Sequence, residues 1–289
     1  MKARWHLALI PSLILSLFLL LASQIAFLRG SFFKDLRLGR LGVDLTLENY
    51  VRFFTDSLYV DSLLLTVRLS ATVALLTLLI GYPIAYILAR ANGRWALLAL
   101  ASIVAASFIT IVIKVLGLII IFSSGGALNR FLLWTGIVSQ PVSIMGQPSG
   151  VVVGLMHFTM GFAVLLLYGV IRTIPKSLEE AAEIHGAPRW RVFLRVVLPL
   201  SLPGIVVTLL IVFNLCMGAF TSAALIGGGK VLTLPVLIQQ TVILQTRYAM
   251  GATVSAVLMT MTLLINGLSL LLMARLERRP KPEPRSAFA

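Results

Sequence analysis

The chain has 289 residues, of which 59% are hydrophobic and only 12% are charged. A soluble domain of this size carries about a quarter charged residues, so the composition indicates an integral membrane protein. The formal net charge of +14 does not indicate a nucleic-acid partner, because the basic residues lie mostly at the edges of apolar runs, where they orient helices and contact lipid headgroups. We therefore expect membrane lipid, and no nucleic acid, around these charges.

Six apolar segments are long enough to cross the ~30 Å hydrocarbon core as helices, which takes about 20 residues each. In chain order, the predicted spans are 7–28, 62–89, 95–122, 150–171, 197–218 and 249–274. The first span is uncharged and longer than the 7–15-residue apolar core of a typical signal peptide, so we expect a retained anchor. The sequence predicts one all-α transmembrane domain over residues 1–289, with a short, basic, Pro-rich and disordered tail.

The distribution of basic residues predicts the orientation of these spans. With the N-terminus in the cytoplasm, 14 Lys and Arg residues lie in the inside segments and 8 in the outside segments. Inside segments carry the excess of basic residues in membrane proteins. Both termini and the segment 174–196, between the fourth and fifth spans, are therefore predicted to face the cytoplasm.

The segment 174–196 is unusually polar for the middle of such a chain. Ser177 and Glu180 have the spacing of a capping box, which predicts a helix that starts at Ser177. Glu179 and Glu180 would then lie in the first turn, where the helix dipole favours acidic side chains. The sequence thus predicts a short polar helix outside the membrane.

Two further features bear on the role of this helix. Ala181 and Ala182 make one face thin enough for another surface to approach closely. Gly186 suits the left-handed position that ends many helices. From the residues alone, an amphipathic connector and a docking site for a partner remain equally open.

The motif EAAEIHG, followed by nine residues and then VVLP, resembles the EAA signature of ATP-binding cassette importer permeases. The matching positions are Glu180, Ala181, Ala182, Gly186, Val196, Leu198 and Pro199. The resemblance implies that 174–196 is a coupling segment, with Glu179 beside the motif, that inserts into a groove on a cytoplasmic ATPase. The fourth and fifth of six spans flank the motif in that family, as they do here.

The same resemblance implies the partners and the location of the chain. It implies cytoplasmic ATP-binding subunits, a second permease subunit that is either a copy or a different chain, and an external solute-binding protein. ATP would be bound and hydrolysed by the partner subunits, so this chain would be no enzyme and would hold no cofactor. A bacterial-type cytoplasmic (inner) membrane is the location implied.

Two stretches resemble the spermidine/putrescine-type subfamily of these permeases. They are GYPIAYILAR at 81–90 and GAFTSAALIGGGKVLTLPVLIQQ at 218–240. The resemblance implies a polyamine or another small organic solute. Related permeases often have an acidic residue where this chain has Ala219, and that departure weakens the polyamine assignment.

Polar and aromatic residues within or near the spans are candidates for the solute pathway. We expect Lys114, His157, Asn214 and Phe220 to line it, since polar groups inside a membrane are functional candidates by default. The alternatives stay open: Lys114 and Arg68 could extend to the outer interface, and His157 and Asn214 could bond neighbouring helices.

Two other classes of function compete with the permease subunit. A stand-alone secondary transporter is disfavoured because the spans lack carboxylates for proton or sodium coupling. A membrane-embedded enzyme is disfavoured because no span carries paired carboxylates, a nucleophile with its base, or metal ligands. The single cysteine, Cys216, lies in an apolar run, and no metal site is expected.

Overall fold

The computed structural model describes residues 5–36 and 39–277. The basic tail from Arg278 onward, predicted to be disordered, and the two basic residues before the first span lie outside the described residues. The first half of the described chain forms α1 (Trp5–Gly30), β1 (Phe33–Asp35), β2 (Leu41–Leu45), α2 (Glu48–Thr55), α3 (Ser57–Arg90), α4 (Arg94–Phe108), α5 (Ile111–Phe122) and α6 (Ala127–Trp134).

The second half is also helical. It forms α7 (Pro148–Arg172), α8 (Lys176–Ile184), α9 (Arg189–Val192), a π-helical turn (Phe193–Val197), α10 (Leu198–Met217), α11 (Thr221–Gly227), α12 (Leu234–Gln239), a second π-helical turn (Gln240–Leu244) and α13 (Tyr248–Glu277). Within the described part of the chain, six helical stretches are long and apolar enough to cross a membrane. The predicted all-α fold with six such helices is confirmed.

The structure differs from the sequence prediction at the third span. The predicted span 95–122 is divided between α4 and α5, because Ile109 and Thr110 have extended backbones with ψ of 132° and 144°. The break falls at the start of a run of five β-branched residues, Ile109 to Ile113, which have a lower helix propensity than straight-chain residues. The stretch of membrane length in this region is Ile111–Trp134.

The described residues group into two compact units. One comprises the chain up to Leu65 together with Leu232–Thr260, and the other comprises Thr66–Val231 and the chain from Met261. In the first unit, β1 and β2 pair as an antiparallel hairpin, with Phe33 opposite Leu45. The sequence predicted only an outer loop there.

The second unit has a core that joins three membrane helices. The buried apolar residues at its centre come mainly from the C-terminal half of α3, from α7 and from the π-helical turn just before α10, and include Leu78, Ala85, Leu167, Ile171 and Val197. The Tyr82 hydroxyl on α3 also hydrogen-bonds the Ser201 hydroxyl on α10, with 2.6 Å between the oxygens. Apolar packing and this buried hydrogen bond therefore hold one end of α3 against α10.

A π-helical turn joins α9 to α10. Pro199 has no amide hydrogen, so the bond that residue 199 would donate to the Arg195 carbonyl in an α-helix is missing. The amide of Leu198 instead donates to the carbonyl of Phe193, five residues back. The chain thus stays helical from Arg189 to Met217, so the helix that contains the predicted fifth span starts before residue 197.

Candidate functional site

The polar helix between the fourth and fifth spans is α8, and it starts earlier than the capping box predicts. Its first residue is Lys176, preceded by Pro175 at the N-cap with φ −59° and ψ 130°. No side chain bonds the amides at this end. The prediction of a capping box between Ser177 and Glu180 is therefore wrong. Ser177 lies inside the first turn, where its side chain cannot take the N-cap position.

Gly186 ends α8, as predicted. Its φ is +81°, in the left-handed region. Its amide donates to the Glu183 carbonyl at 2.9 Å, and the Ala187 amide donates to the Ala182 carbonyl at 3.1 Å. These two bonds make a Schellman motif, in which glycine satisfies the last carbonyls of a helix without a Cβ penalty. The left-handed conformation predicted for Gly186 is confirmed.

Glu179 anchors α8 to the end of α3. Arg90 Nε donates to its Oε1 at 2.6 Å, and the Tyr86 hydroxyl donates to its Oε2 at 2.9 Å. A second nitrogen of Arg90 donates to the Ile174 carbonyl at 3.2 Å. Glu179 is only 8% exposed, so this carboxylate faces its own chain and not a partner. Sequence reasoning grouped it with the coupling residues and did not identify Arg90 or Tyr86.

The opposite face of α8 is open. Successive residues are about 100° apart around a helix, so Glu180, Ala181 and Ile184 lie on the side away from Glu179. All three are exposed, and Ile184 is 84% exposed. Ala182 is half-buried on the side nearer to Glu179. The thin face that is open to a partner therefore centres on Ala181.

The remaining coupling residues lie where the segment enters the membrane helix. Leu198 is half-buried and packs against the core of the second unit, and Pro199 is exposed. Between α8 and these residues, the Phe193 ring makes edge contacts with Tyr82 and Tyr86 of α3, at 5.6 and 5.1 Å between ring centroids. The candidate coupling segment therefore contacts α3 at α8 and again at the π-helical turn.

Two of the candidate pathway residues lie together. Lys114 of α5 and His157 of α7 line one cavity of about 310 Å³, along with Ser107 and Met160. His157 is the tenth residue of a 25-residue helix, which places it about 15 Å from the start of α7 and near mid-depth of a membrane. No carboxylate is among the residues that line this cavity.

The other two candidates lie elsewhere. Asn214 of α10 and Asn266 of α13 bond each other through both amides, at 2.8 and 2.9 Å. Phe220 is 39% exposed at the start of α11, and it does not line the cavity of Lys114. Arg68 is exposed on α3. Among the residues that the structure describes, no group of three or more His, Cys, Asp or Glu is arranged to hold a metal ion.

Fold and site together define a class of protein: a multi-pass membrane protein that presents a short polar helix at one end of its packed helices. Residues 81–282 match the family described as "Binding-protein-dependent transport system inner membrane component". This region covers α4 to α13 completely, including α8. The chain belongs to that family, whose members are permease subunits.

Curated relatives agree with this assignment. The chain is 38% identical over 185 residues to a protein of Salmonella typhimurium named "Spermidine/putrescine transport system permease protein PotB", and the match covers 64% of each chain. A protein of the same name from Haemophilus influenzae is 32% identical over 211 residues, or 73% of each chain. The first match thus spans less than two thirds of that relative's length.

A solved structure has the same fold. It is titled "Crystal structure of bacterial alginate ABC transporter in complex with alginate pentasaccharide-bound periplasmic protein". The TM-score is 0.80, and the match covers 96% of each chain at 20% sequence identity. At that identity the likeness concerns the fold alone.

Proposed function

We propose that the protein is the transmembrane permease subunit of an ATP-driven, binding-protein-dependent importer, in which it forms part of the solute pathway. The observation that carries this proposal is α8, whose inner face is held to α3 by Glu179 while its outer face is left open. A helix that only connected two spans would not need one face fixed to α3 and the opposite face left exposed. Family membership supports the same function over a stand-alone secondary transporter.

In this proposal α8 is the coupling helix, and its open face enters a groove on a cytoplasmic ATPase subunit. ATP is bound and hydrolysed by that subunit, since the sequence contains no G-x4-G-K-[S/T] phosphate-binding loop. Both termini and α8 face the cytoplasm, in keeping with the excess of basic residues in the inside segments. A second permease subunit and an external solute-binding protein complete the assembly.

The solute in this proposal is a polyamine or another small organic solute. The name of the PotB relatives supports a polyamine. The cavity of Lys114 and His157 is the candidate contact within the membrane. Its lining carries the basic Lys114 and has neither a carboxylate nor a Phe, Tyr or Trp ring, so a polyamine would have to meet backbone carbonyls or the second permease instead. Import of radiolabelled putrescine and spermidine into proteoliposomes tests the solute. If neither is taken up, the polyamine assignment is wrong, while the permease-subunit proposal still stands.

The coupling role is tested with the complete complex in proteoliposomes. Ala181→Trp adds bulk at the centre of the open face, so import and solute-stimulated ATP hydrolysis should both fall by roughly tenfold or more. Ala182→Trp should do the same, but the half-buried position also disturbs how α8 packs, which makes Ala181 the cleaner site. Glu180→Ala should cause a smaller loss of import, because it removes one exposed side chain from the open face without adding bulk.

The matched control is Asn92→Trp. Asn92 is exposed between α3 and α4, next to the end of α3 that contacts α8, but it is not on α8. A complex with Asn92→Trp should import solute and hydrolyse ATP like the wild type. If Ala181→Trp behaves like Asn92→Trp, and no ATPase subunit copurifies with the wild-type chain, the permease-subunit proposal is wrong and the secondary transporter becomes the better explanation.

A further inference from the structure

The tie between α8 and α3 is unusual in its chemistry for the end of a membrane helix. Arg90 and Glu179 are 89 positions apart in the sequence, yet their side chains meet at 2.6 Å and are only 14% and 11% exposed. Exposed ion pairs contribute little to stability, whereas a shielded, hydrogen-bonded pair resists separation because parting its charges leaves each one poorly solvated. The contact is therefore stiff compared with the rest of the α8 surface.

The contrast with the other ion pair of this segment supports that distinction. Glu183 of α8 and Arg189 of α9 lie 3.5 Å apart, but the Arg189 side chain is 92% exposed. Water and salt screen such a pair, and long side chains give it many alternative geometries. Of the two pairs, only Arg90 and Glu179 can transmit a displacement without loosening.

Among the described residues, every bond to the Glu179 carboxylate comes from the last two turns of α3. Tyr86 and Arg90 are four residues apart, on one face of that helix, and each donates to a different oxygen of Glu179. Arg90 also donates to the carbonyl of Ile174, just before α8 starts. The start of α8 is thus held at its side chain and at its backbone by the same arginine.

The end of α3 that holds α8 is also packed against α10. The Tyr82 hydroxyl bonds Ser201 on α10, and Phe193 packs on the rings of Tyr82 and Tyr86. Helix α10 is already joined to α8 through α9 and the π-helical turn. A movement of α8 therefore has two routes into this unit, a covalent one to α10 and a side-chain one to α3.

We infer that the Arg90–Glu179 ion pair is the mechanical link through which movement of α8 reaches α3, so that α3 and α10 move together when a partner displaces α8. The inference rests on the proposed function, because it assumes that an ATPase subunit moves α8. It assigns the two residues a positioning role: they touch neither solute nor nucleotide, and they set how much solute is moved for each ATP.

The experiment is a double-mutant cycle with Arg90→Gln and Glu179→Gln. The readout is the number of solute molecules imported per ATP hydrolysed, measured in proteoliposomes on complexes isolated through the ATPase subunit, so that only assembled protein is counted. Each single change should lower this ratio roughly tenfold, within the usual range of coupling between sites. The double change should also lower it roughly tenfold, since residues that act as one unit do not have additive effects.

The matched control is Arg172→Gln. Arg172 ends α7 beside the same end of α3, where it donates to the Ala89 carbonyl at 3.4 Å, but it makes no bond to α8 in the described contacts. Arg172→Gln removes the same charge but no contact with α8, so it should leave the ratio within about twofold of the wild type.

Three results would overturn the inference. An unchanged ratio in both single variants, with a lower yield of complex, would mean that the ion pair only supports the fold. A ratio that falls roughly a hundredfold in the double variant would mean that the residues act independently. An equal fall of the ratio in Arg172→Gln would mean that basic charge near the end of α3 sets the ratio, and not the Arg90–Glu179 ion pair. The proposed function is judged separately, because it predicts that Ala181→Trp lowers import by roughly tenfold or more whether or not the ratio responds to these changes.

Discussion

Gly186 has a backbone conformation that few other residues adopt. Its φ of +81° allows the Gly186 and Ala187 amides to close the end of α8. A side chain in this region costs roughly 1–2 kcal/mol, and a β-branched one more. The turn that ends α8 therefore depends on the backbone conformation of this glycine.

Replacement of this glycine should weaken docking without preventing insertion. We expect Gly186→Val to reduce copurification of the ATPase subunit and import, because the strained turn changes the direction of the open face. Gly186→Asn is the matched control, since asparagine tolerates the left-handed region better, and it should retain most of both. Wild-type assembly and import in the valine variant would contradict this role.

Asp35 acts at the start of the last long helix. Its two carboxylate oxygens accept the amides of Ala249 and Met250 at 2.7 and 3.0 Å, and Arg247 lies 3.8 Å away. An acidic cap satisfies amides that the helix itself leaves free and interacts favourably with the helix dipole. Here the cap comes from β1, more than 200 positions earlier in the chain.

Loss of this cap should lower stability. Asp35→Ala should reduce the free energy of unfolding by about 1 kcal/mol, and Asp35→Asn by less, since one acceptor oxygen remains. Thermal unfolding in detergent measures the difference. Asp44→Ala removes an acidic side chain that is exposed on β2 of the same hairpin and should change little. If Asp35→Ala unfolds no earlier than Asp44→Ala, the cap contributes nothing.

At the scale of elements, α10 and α13 are joined by an amide pair. Asn214 and Asn266 bond each other in both directions, and each also donates to a carbonyl of its own helix. Such pairs contribute about 0.6 kcal/mol on average inside membranes. Asn214 was expected to line the solute pathway, but its amide already has protein partners.

This pairing predicts a structural effect for changes at Asn214. Asn214→Ala should lower the free energy of unfolding by roughly 1 kcal/mol, because it leaves the Asn266 amide without this partner. The double variant Asn214→Ala/Asn266→Ala should cost less than twice as much, and the affinity for solute should change little in either. Lost solute affinity at unchanged stability would return Asn214 to the solute pathway.

The elements also show where sequence patterns were sufficient. Long apolar runs predict membrane helices because the bilayer leaves the backbone few other ways to satisfy its hydrogen bonds. Gly186 was predictable because its conformation is a local property. The start of α8 was not, since Pro175 and the capping-box pattern competed for the same turn. The ion pair between Arg90 and Glu179 could not be predicted from the sequence, because hydrophobic periodicity does not indicate which residues 89 positions apart will be in contact.

At the scale of the whole molecule, the orientation in the membrane is the property that most needs a test. Ser177 and Val43 are exposed, one on α8 and the other on β2. The excess of basic residues predicts that the first lies in the cytoplasm and the second outside. The two positions therefore report on opposite sides of the predicted topology.

Cysteine labelling separates the two sides. In a Cys216→Ala background, which avoids burying a hydroxyl where the thiol now lies, a membrane-impermeant reagent should label Val43→Cys in intact cells and should label Ser177→Cys only after the membrane is opened. Ser286→Cys, in the tail outside the described residues, should behave like Ser177→Cys. Labelling of Ser177→Cys or Ser286→Cys from outside would contradict the predicted topology.

The π-helical turn between α9 and α10 also makes room for a proline. It holds about one residue more per turn than an α-helix, so its five residues cover about the rotation that four cover in an α-helix. Deleting one residue from Phe193–Val197 would therefore change the rotation of α8 about α10 little, but it would place the Pro199 ring against the carbonyl four residues back, a contact that kinks or breaks an α-helix. The nine-residue spacing between Gly186 and Val196 thus acts as a spacer: its side chains can change far more freely than its length.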